Sequence, residues 1–144
     1  MIIRPPTTEP EFESYYALRW KILREPWNQP RGSEKDAFEK GAVHIAAWDG
    51  EGRIIGVGRL HQLVENRGQI RFMAVDPAAR GQGVGQAILQ ELELRAIRSG
   101  LSEIILHARE NAVPFYRKNG YEVMKRSHTL FGAIPHTEMR KRFD

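Results

Sequence analysis

The chain has no cysteine. That absence excludes disulfides, zinc–thiolate centres and a cysteine nucleophile. No stretch approaches the ~20 consecutive apolar residues that span a bilayer. The opening residues, Met1-Ile2-Ile3-Arg4-Pro5-Pro6, lack the apolar run of a signal peptide. The default expectations are therefore a cytoplasmic location and no membrane partner. Internal repeats and low-complexity segments are also missing.

At 144 residues, with 41% hydrophobic and 28% charged, the chain suits one globular domain, residues 1–144, around a single core. The net charge of +4 suits either a nucleic-acid partner or an anionic cofactor such as a polyphosphate. The basic residues are scattered, except for Arg140-Lys141-Arg142. A nucleic-acid partner is thus not expected, and that cluster reads as a solvated strand end.

Residues 2–3 open a short strand that Pro5-Pro6 ends. Thr7 or Thr8 offers an N-cap, and Phe12, Tyr15, Tyr16, Leu18, Ile22 and Leu23 give helical spacing to about Arg24. Ser33-Glu34-Lys35-Asp36 predicts a second short helix, ending near Lys40. Three strands follow at 43–48, 53–64 and 69–75, separated by turns at Asp49-Gly50 and Glu65-Asn66-Arg67-Gly68. Gly56 and Gly58 inside the second signal a bulge or a close backbone approach. The period then changes. Val84, Ile88, Leu89, Leu92 and Ala96 make a helical face that Gly100 ends. A strand at 103–108, a short helix at 111–118 capped by Asn111, and strands at 121–126 and 136–143 complete the order. The whole predicts a mixed α/β (α+β) fold: a mainly antiparallel sheet of about seven strands, flanked by about four helices.

The richest segment joins the strand end Met73-Ala74-Val75-Asp76-Pro77 to Arg80-Gly81-Gln82-Gly83-Val84-Gly85, which opens a helix. Free main-chain amides and the positive end of a helix dipole gather there, so the bend suits a diphosphate. Glycines let the phosphate come close, and Arg80 adds a full charge with bidentate geometry. A tight strand-to-helix turn without a ligand is the plain alternative. A nucleotide P-loop needs Gly-Lys followed by Ser or Thr, which is missing. The dinucleotide fingerprint fails because the third glycine falls one residue early.

Arg80-Gly81-Gln82-Gly83-Val84-Gly85 resembles the Arg/Gln-x-x-Gly-x-Gly motif of the GNAT superfamily of N-acetyltransferases. Met73-Ala74-Val75-Asp76-Pro77 and the later Asn111-Ala112-Val113-Pro114-Phe115-Tyr116 match it as well. Ile134-Pro135-His136-Thr137-Glu138-Met139 is similar to an ElaA-like branch. The resemblance implies acetyl-coenzyme A as acyl donor, no metal, and a primary amine of a small molecule or peptide as acceptor. It implies that the fourth and fifth strands splay apart. It places the diphosphate on Arg80, Gly81, Gln82, Gly83, Val84, Gly85 and Gln86, and the pantetheine arm along Met73, Ala74 and Val75. Asn111 and Phe115 would adjoin that arm, or serve only as helix cap and core. A homodimer is implied at the family level only.

By the same resemblance Tyr116 is the general acid that protonates the leaving sulfur; otherwise it is an aromatic packed on the sheet. The base is open. Where many relatives carry a glutamate, this chain has Arg71. His61, Glu65, His136 and solvent are the candidates, and His61 on the long central strand is carried forward. The departure at Arg71 keeps a second class in view, a non-catalytic acyl-coenzyme A sensing module on the same fold. Residues 25–34, with two prolines and Trp27, are expected to wall the acceptor site, pad the surface or contact a second copy. Glu34, Asp36 and Glu39 read as a solvated helix face or as a lure for a cationic amine.

Overall fold

Thr8 starts the first helix by accepting a hydrogen bond from the Glu11 amide at 3.2 Å. In the computed structural model, which describes residues 1–64 and 66–143, the elements run β1 (Ile2–Arg4), α1 (Glu9–Leu23), β2 (Val43–Trp48), β3 (Ile54–Val64), β4 (Arg67–Val75), α2 (Val84–Arg98), β5 (Glu103–Arg109), α3 (Val113–Lys118), β6 (Glu122–Leu130) and β7 (Ile134–Arg142). The seven strands form one sheet in the order β1-β2-β3-β4-β5-β7-β6. Among the described residues only β4 and β5 pair in parallel. This is the expected mixed fold.

Three α-helices form among the described residues, where about four were expected. The predicted helix at 33–40 is a series of turns. Its own side chains compete for the backbone: Glu34 accepts from the Gly32 amide at 2.7 Å, Asp36 from Phe38 at 2.8 Å, and Glu39 from Asp36 at 3.0 Å. The carboxylates of Asp36 and Glu39 also answer buried guanidinium groups, as shown below. Asn111 is not the cap of α3 either. It lies in a 3-10 turn, Glu110–Ala112, and Ala112 holds the cap position without a side-chain hydrogen bond.

Helix α2 covers one face of the sheet. Ile88, Leu89 and Leu92 meet Ile45, Ile70 and Ile104 there, all essentially solvent-free. A fully buried aliphatic side chain of this size contributes roughly 1.5–3 kcal/mol. Gly56 and Gly58 serve close approach: a β-carbon at Gly58 would sit 2.6 Å from Met73 Sδ and 2.8 Å from Ile88 Cγ2. The other face takes α1, through Tyr15 and Leu18 against Ala46, Trp48, Val57 and Ala74.

Strand β4 changes face midway. Between Arg71 and Ala74 it spends three steps where β3 spends two, Arg59 to Val57. Phe72 takes a left-handed φ of 61° at this bulge. Ile70 therefore packs with the α2 face, whereas Ala74, four residues on, packs with the α1 face. The bulge also steers β4 away from β5. Their pairing covers Arg67↔Glu103, Gly68↔Ile104 and Gln69↔Ile105, and then stops.

Candidate active site

Beyond Gln69 and Ile105 the two parted strands leave a cleft with a cavity of about 360 Å³. Strand β5 is fully engaged with β7 on its other side, up to Arg109↔His136. Strand β4 is likewise engaged with β3. Each thus turns one edge of peptide groups toward the cleft, where a ligand can pair with them. Met73, Ala108 and Tyr116 line the cavity, as do Leu23, Arg24 and Leu130.

The glycine bend lies at the start of α2. Gly81 and Gly83 have φ of 79° and 78°, and a β-carbon at either would meet nothing within 4 Å. Gly83 caps α2 with no side-chain hydrogen bond. The first amides of this 15-residue helix have no partner within the helix and gather at its positive dipole end. Arg80, Gln82 and Gln86 are exposed around the bend, and Val84 anchors it in the core. Gly85 is the meeting point of three segments: its β-carbon position lies 3.4 Å from the Phe115 ring and 3.6 Å from Val75 Cγ2. Val75, Gly85 and Phe115 are thus brought together. These residues fit a coenzyme A diphosphate: open amides, a positive helix end and a free arginine. Ala74 is buried toward α1 and pairs with Val57 of β3, so its side chain does not face the cleft. Asn111 is exposed and does not line the cavity.

Tyr116 is 7% exposed and lines the cavity. Burial raises its phenol pKa, so the group stays a neutral donor. Phe115 and Tyr121 hold its ring edge-on at 5.0 and 5.8 Å between centroids.

The histidines fall into two sets. His61 does not line the cavity. It stacks on Phe38 at 4.4 Å, and its Nδ1 lies 2.9 Å from Arg59 Nη2. A guanidinium can only donate, so Nδ1 accepts and the ring proton rests on Nε2. Burial first, and then Arg59, depress its pKa, and no lone pair remains free for a substrate. His136 does line the cavity. Its Nδ1 lies 2.9 Å from the carbonyl of Ile134, which can only accept, so Nδ1 carries the proton and Nε2 the lone pair. Burial depresses its pKa too, keeping the ring neutral near pH 7. His128 stacks on it at 4.5 Å, and His107 lies 5.4 Å from His128. Glu65, the third base candidate, lies outside the described residues.

Arginine supplies the remaining polar wall. Arg19 and Arg59 have fully buried side chains. Arg19 donates to Glu39 at 2.9 Å; Arg59 donates to Glu39 at 2.7 Å and to both oxygens of Asp36. Arg71 shares Asp36 at 2.7 Å. Burial opposes the Asp36 charge, but the Arg59 guanidinium, the Phe38 amide and Arg71 outweigh it and hold the carboxyl well below its ordinary range. Asp36 and Glu39 are therefore structural counter-ions and not a solvated face. Glu34 is 1% exposed. Sequence reading missed Arg24, His107 and Arg109 as cavity residues. A signal existed for two of them: alternation along β5 puts His107 and Arg109 on the face opposite Ile104, Leu106 and Ala108.

Residues 27–143 match the family model described as the acetyltransferase (GNAT) domain. The uncharacterized N-acetyltransferase YjcF of Bacillus subtilis (strain 168) is 34% identical over 133 residues, 92% of this chain and 94% of that protein. Among solved structures, an aminoglycoside 6'-N-acetyltransferase complexed with coenzyme A superposes with a TM-score of 0.83 at 17% identity, over 99% of this chain and 97% of that one. Escherichia coli ElaA gives 0.82 at 17% identity, over 98% and 97%. At that identity the two structures speak for the fold, which agrees with the cleft and bend described above. With the family model spanning most of its length, the chain belongs to the GNAT family of acetyltransferases.

Proposed function

We propose that the protein transfers an acetyl group from acetyl-coenzyme A to a primary amine of a small molecule or peptide by direct attack. The uncapped start of α2, with Gly81 and Gly83 facing open space, carries this reading. It is an anion cradle at the mouth of a cleft whose walls hold a proton donor and a proton acceptor. The coenzyme A complex of the structural neighbour supports the same choice of donor.

When bound, acetyl-coenzyme A supplies the acyl group and a thiol leaving group. Amides from Gly81 to Gln86, with Arg80, hold the diphosphate. Met73, Ala74 and Val75 offer main-chain groups to the pantetheine arm along the open edge of β4. A main-chain N–H at Val75 donates to the thioester oxygen as charge develops there. Tyr116 delivers a proton to the departing sulfur. His136, with Nε2 free, accepts the proton that the amine loses; His61 is not used, because Arg59 occupies its lone pair. A phenol donor in the cavity favours catalysis over a sensing role.

The test is thiol release from acetyl-coenzyme A across a panel of amines, alongside titration calorimetry with coenzyme A. Binding together with amine-dependent release is the expected result. Binding without release from any amine would reduce the protein to an acyl-coenzyme A module. No heat with coenzyme A would remove the cradle.

A further inference from the structure

Charge is matched unevenly among the arginines on the α1 side of the sheet. Arg19, Arg59 and Arg71 each have a carboxylate within ion-pair distance. Arg24 and Arg109 have none among the described residues. Arg24 is 6% exposed, and its Nε and Nη1 donate to the carbonyls of Ser33 and Leu23 at 3.0 and 3.1 Å. Arg109 is half-buried and donates from Nη2 to the same Leu23 carbonyl at 3.1 Å. Two guanidinium groups thus converge on one oxygen atom. Glu34 acts on Arg24 only at longer range, with its Oε1 committed to the Gly32 amide. Burial first, and then Arg71, Arg109 and Arg19, push Arg24 down to about 10.

Both arginines line the cavity, and no aspartate or glutamate among the described residues does. Nη2 of Arg24, and Nε and Nη1 of Arg109, meet no acceptor among the described residues. Burying like charges side by side without a counter-ion is costly, and a bound anion removes that cost. Two planar guanidinium forks suit the two oxygens of a carboxylate or phosphate. Resting on the acyl-transfer reading above, we infer that the acceptor amine carries an anionic group, a carboxylate or a phosphate, which Arg24 and Arg109 clamp in the cleft. Polycationic amines are repelled by the same wall. The positive field also favours the neutral form of the attacking amine, which suits a site with Arg71 in place of a carboxylate base.

The experiment compares initial rates within matched pairs, using acetyl-coenzyme A: phenylalanine against phenethylamine, phosphoethanolamine against ethanolamine, and spermidine as polycation. The anionic member should have a kcat/KM about tenfold to a hundredfold higher, the scale of a charge-assisted hydrogen bond. The pair with the larger ratio distinguishes carboxylate from phosphate. Arg109→Gln and, separately, Arg24→Gln should each collapse that ratio toward unity by raising the acceptor KM. Equal rates within both pairs, or a preference for spermidine, overturn the inference while acyl transfer stands. Rates that follow a carboxylate on the donor, succinyl- over acetyl-coenzyme A, overturn it as well. Should no amine release thiol, the acyl-transfer reading fails, and calorimetry then decides the anion site by itself. Binding of phosphoethanolamine or phenylalanine that Arg109→Gln abolishes upholds it, and no heat from either refutes it.

Discussion

The two faces of the sheet are built on opposite principles. Under α2 the contacts are aliphatic, with Ile88, Leu89, Leu92 and Ala96 on Ile45, Ile70, Ile104 and Met139. Under α1 the largest buried side chains include Arg19, Arg59 and Tyr15. Tyr15 bonds the Gly58 carbonyl at 3.1 Å and receives Arg19 at 3.0 Å. Phe72 lies within 4.2–5.7 Å of four guanidinium groups: Arg19, Arg24, Arg59 and Arg71. An aliphatic face needs shape alone. A guanidinium face needs partners, and where they run out, at Arg24 and Arg109, it opens into the cleft.

The largest effect that would test this contrast is at Arg59. Arg59→Met leaves Asp36 and Glu39 without their principal partner and should cost about 3–5 kcal/mol in urea unfolding, the scale of a broken buried ion pair. A loss under about 1 kcal/mol would mean that these carboxylates are already solvated. On the other face, Gly58→Val should cost about 1–3 kcal/mol by forcing α2 off the sheet. If α2 tolerates it, the close packing of that face is not limiting.

Next comes the cleft. Tyr116→Phe should lower kcat about tenfold or more while leaving the Kd for coenzyme A nearly unchanged. Unchanged turnover would leave Tyr116 a packing aromatic. Gly83→Val should do the reverse, weakening coenzyme A binding by about tenfold, because the residue needs φ near 78° and a side chain there would enter the open space proposed for the phosphate.

The smallest effect is on pH. His44, His107 and His136 all have pKa values depressed, chiefly by burial. The unfolded chain therefore binds protons more readily. Their contribution to stability is complete above about pH 6.5 and is lost as pH falls through the lower folded values. Denaturant midpoints should be flat from pH 7 to 8 and decline gently toward pH 5. Asp36 adds to the loss at still lower pH, since its carboxyl is held below the ordinary range. A midpoint that rises on acidification would contradict the neutral, buried state of these rings.

Legibility followed periodicity. The helical face of α2 was readable because burial on one side leaves a regular trace. The Gly81-Gln82-Gly83 bend was readable because few residues other than glycine accept its dihedral angles. Residues 33–40 misled for the opposite reason. Serine followed by acids is a helix-start signature locally, yet here Asp36 and Glu39 answer Arg19, Arg59 and Arg71, which lie 20 or more positions away in sequence. Likewise His61 and His136 look equivalent in sequence. What separates them is which atom stands beside Nδ1, Arg59 Nη2 in one case and the Ile134 carbonyl in the other.

Local dihedral preference and hydrophobic period thus settled, from the chain alone, the seven strands, the glycine bend and the family pattern that goes with them. Those properties depend on neighbours within a turn or two. The tertiary structure decided which ionisable groups are matched and which are left facing the cleft. Coulomb energy and desolvation depend on distance in space, and the carboxylates of Asp36 and Glu39 reach Arg59 but not Arg24 or Arg109.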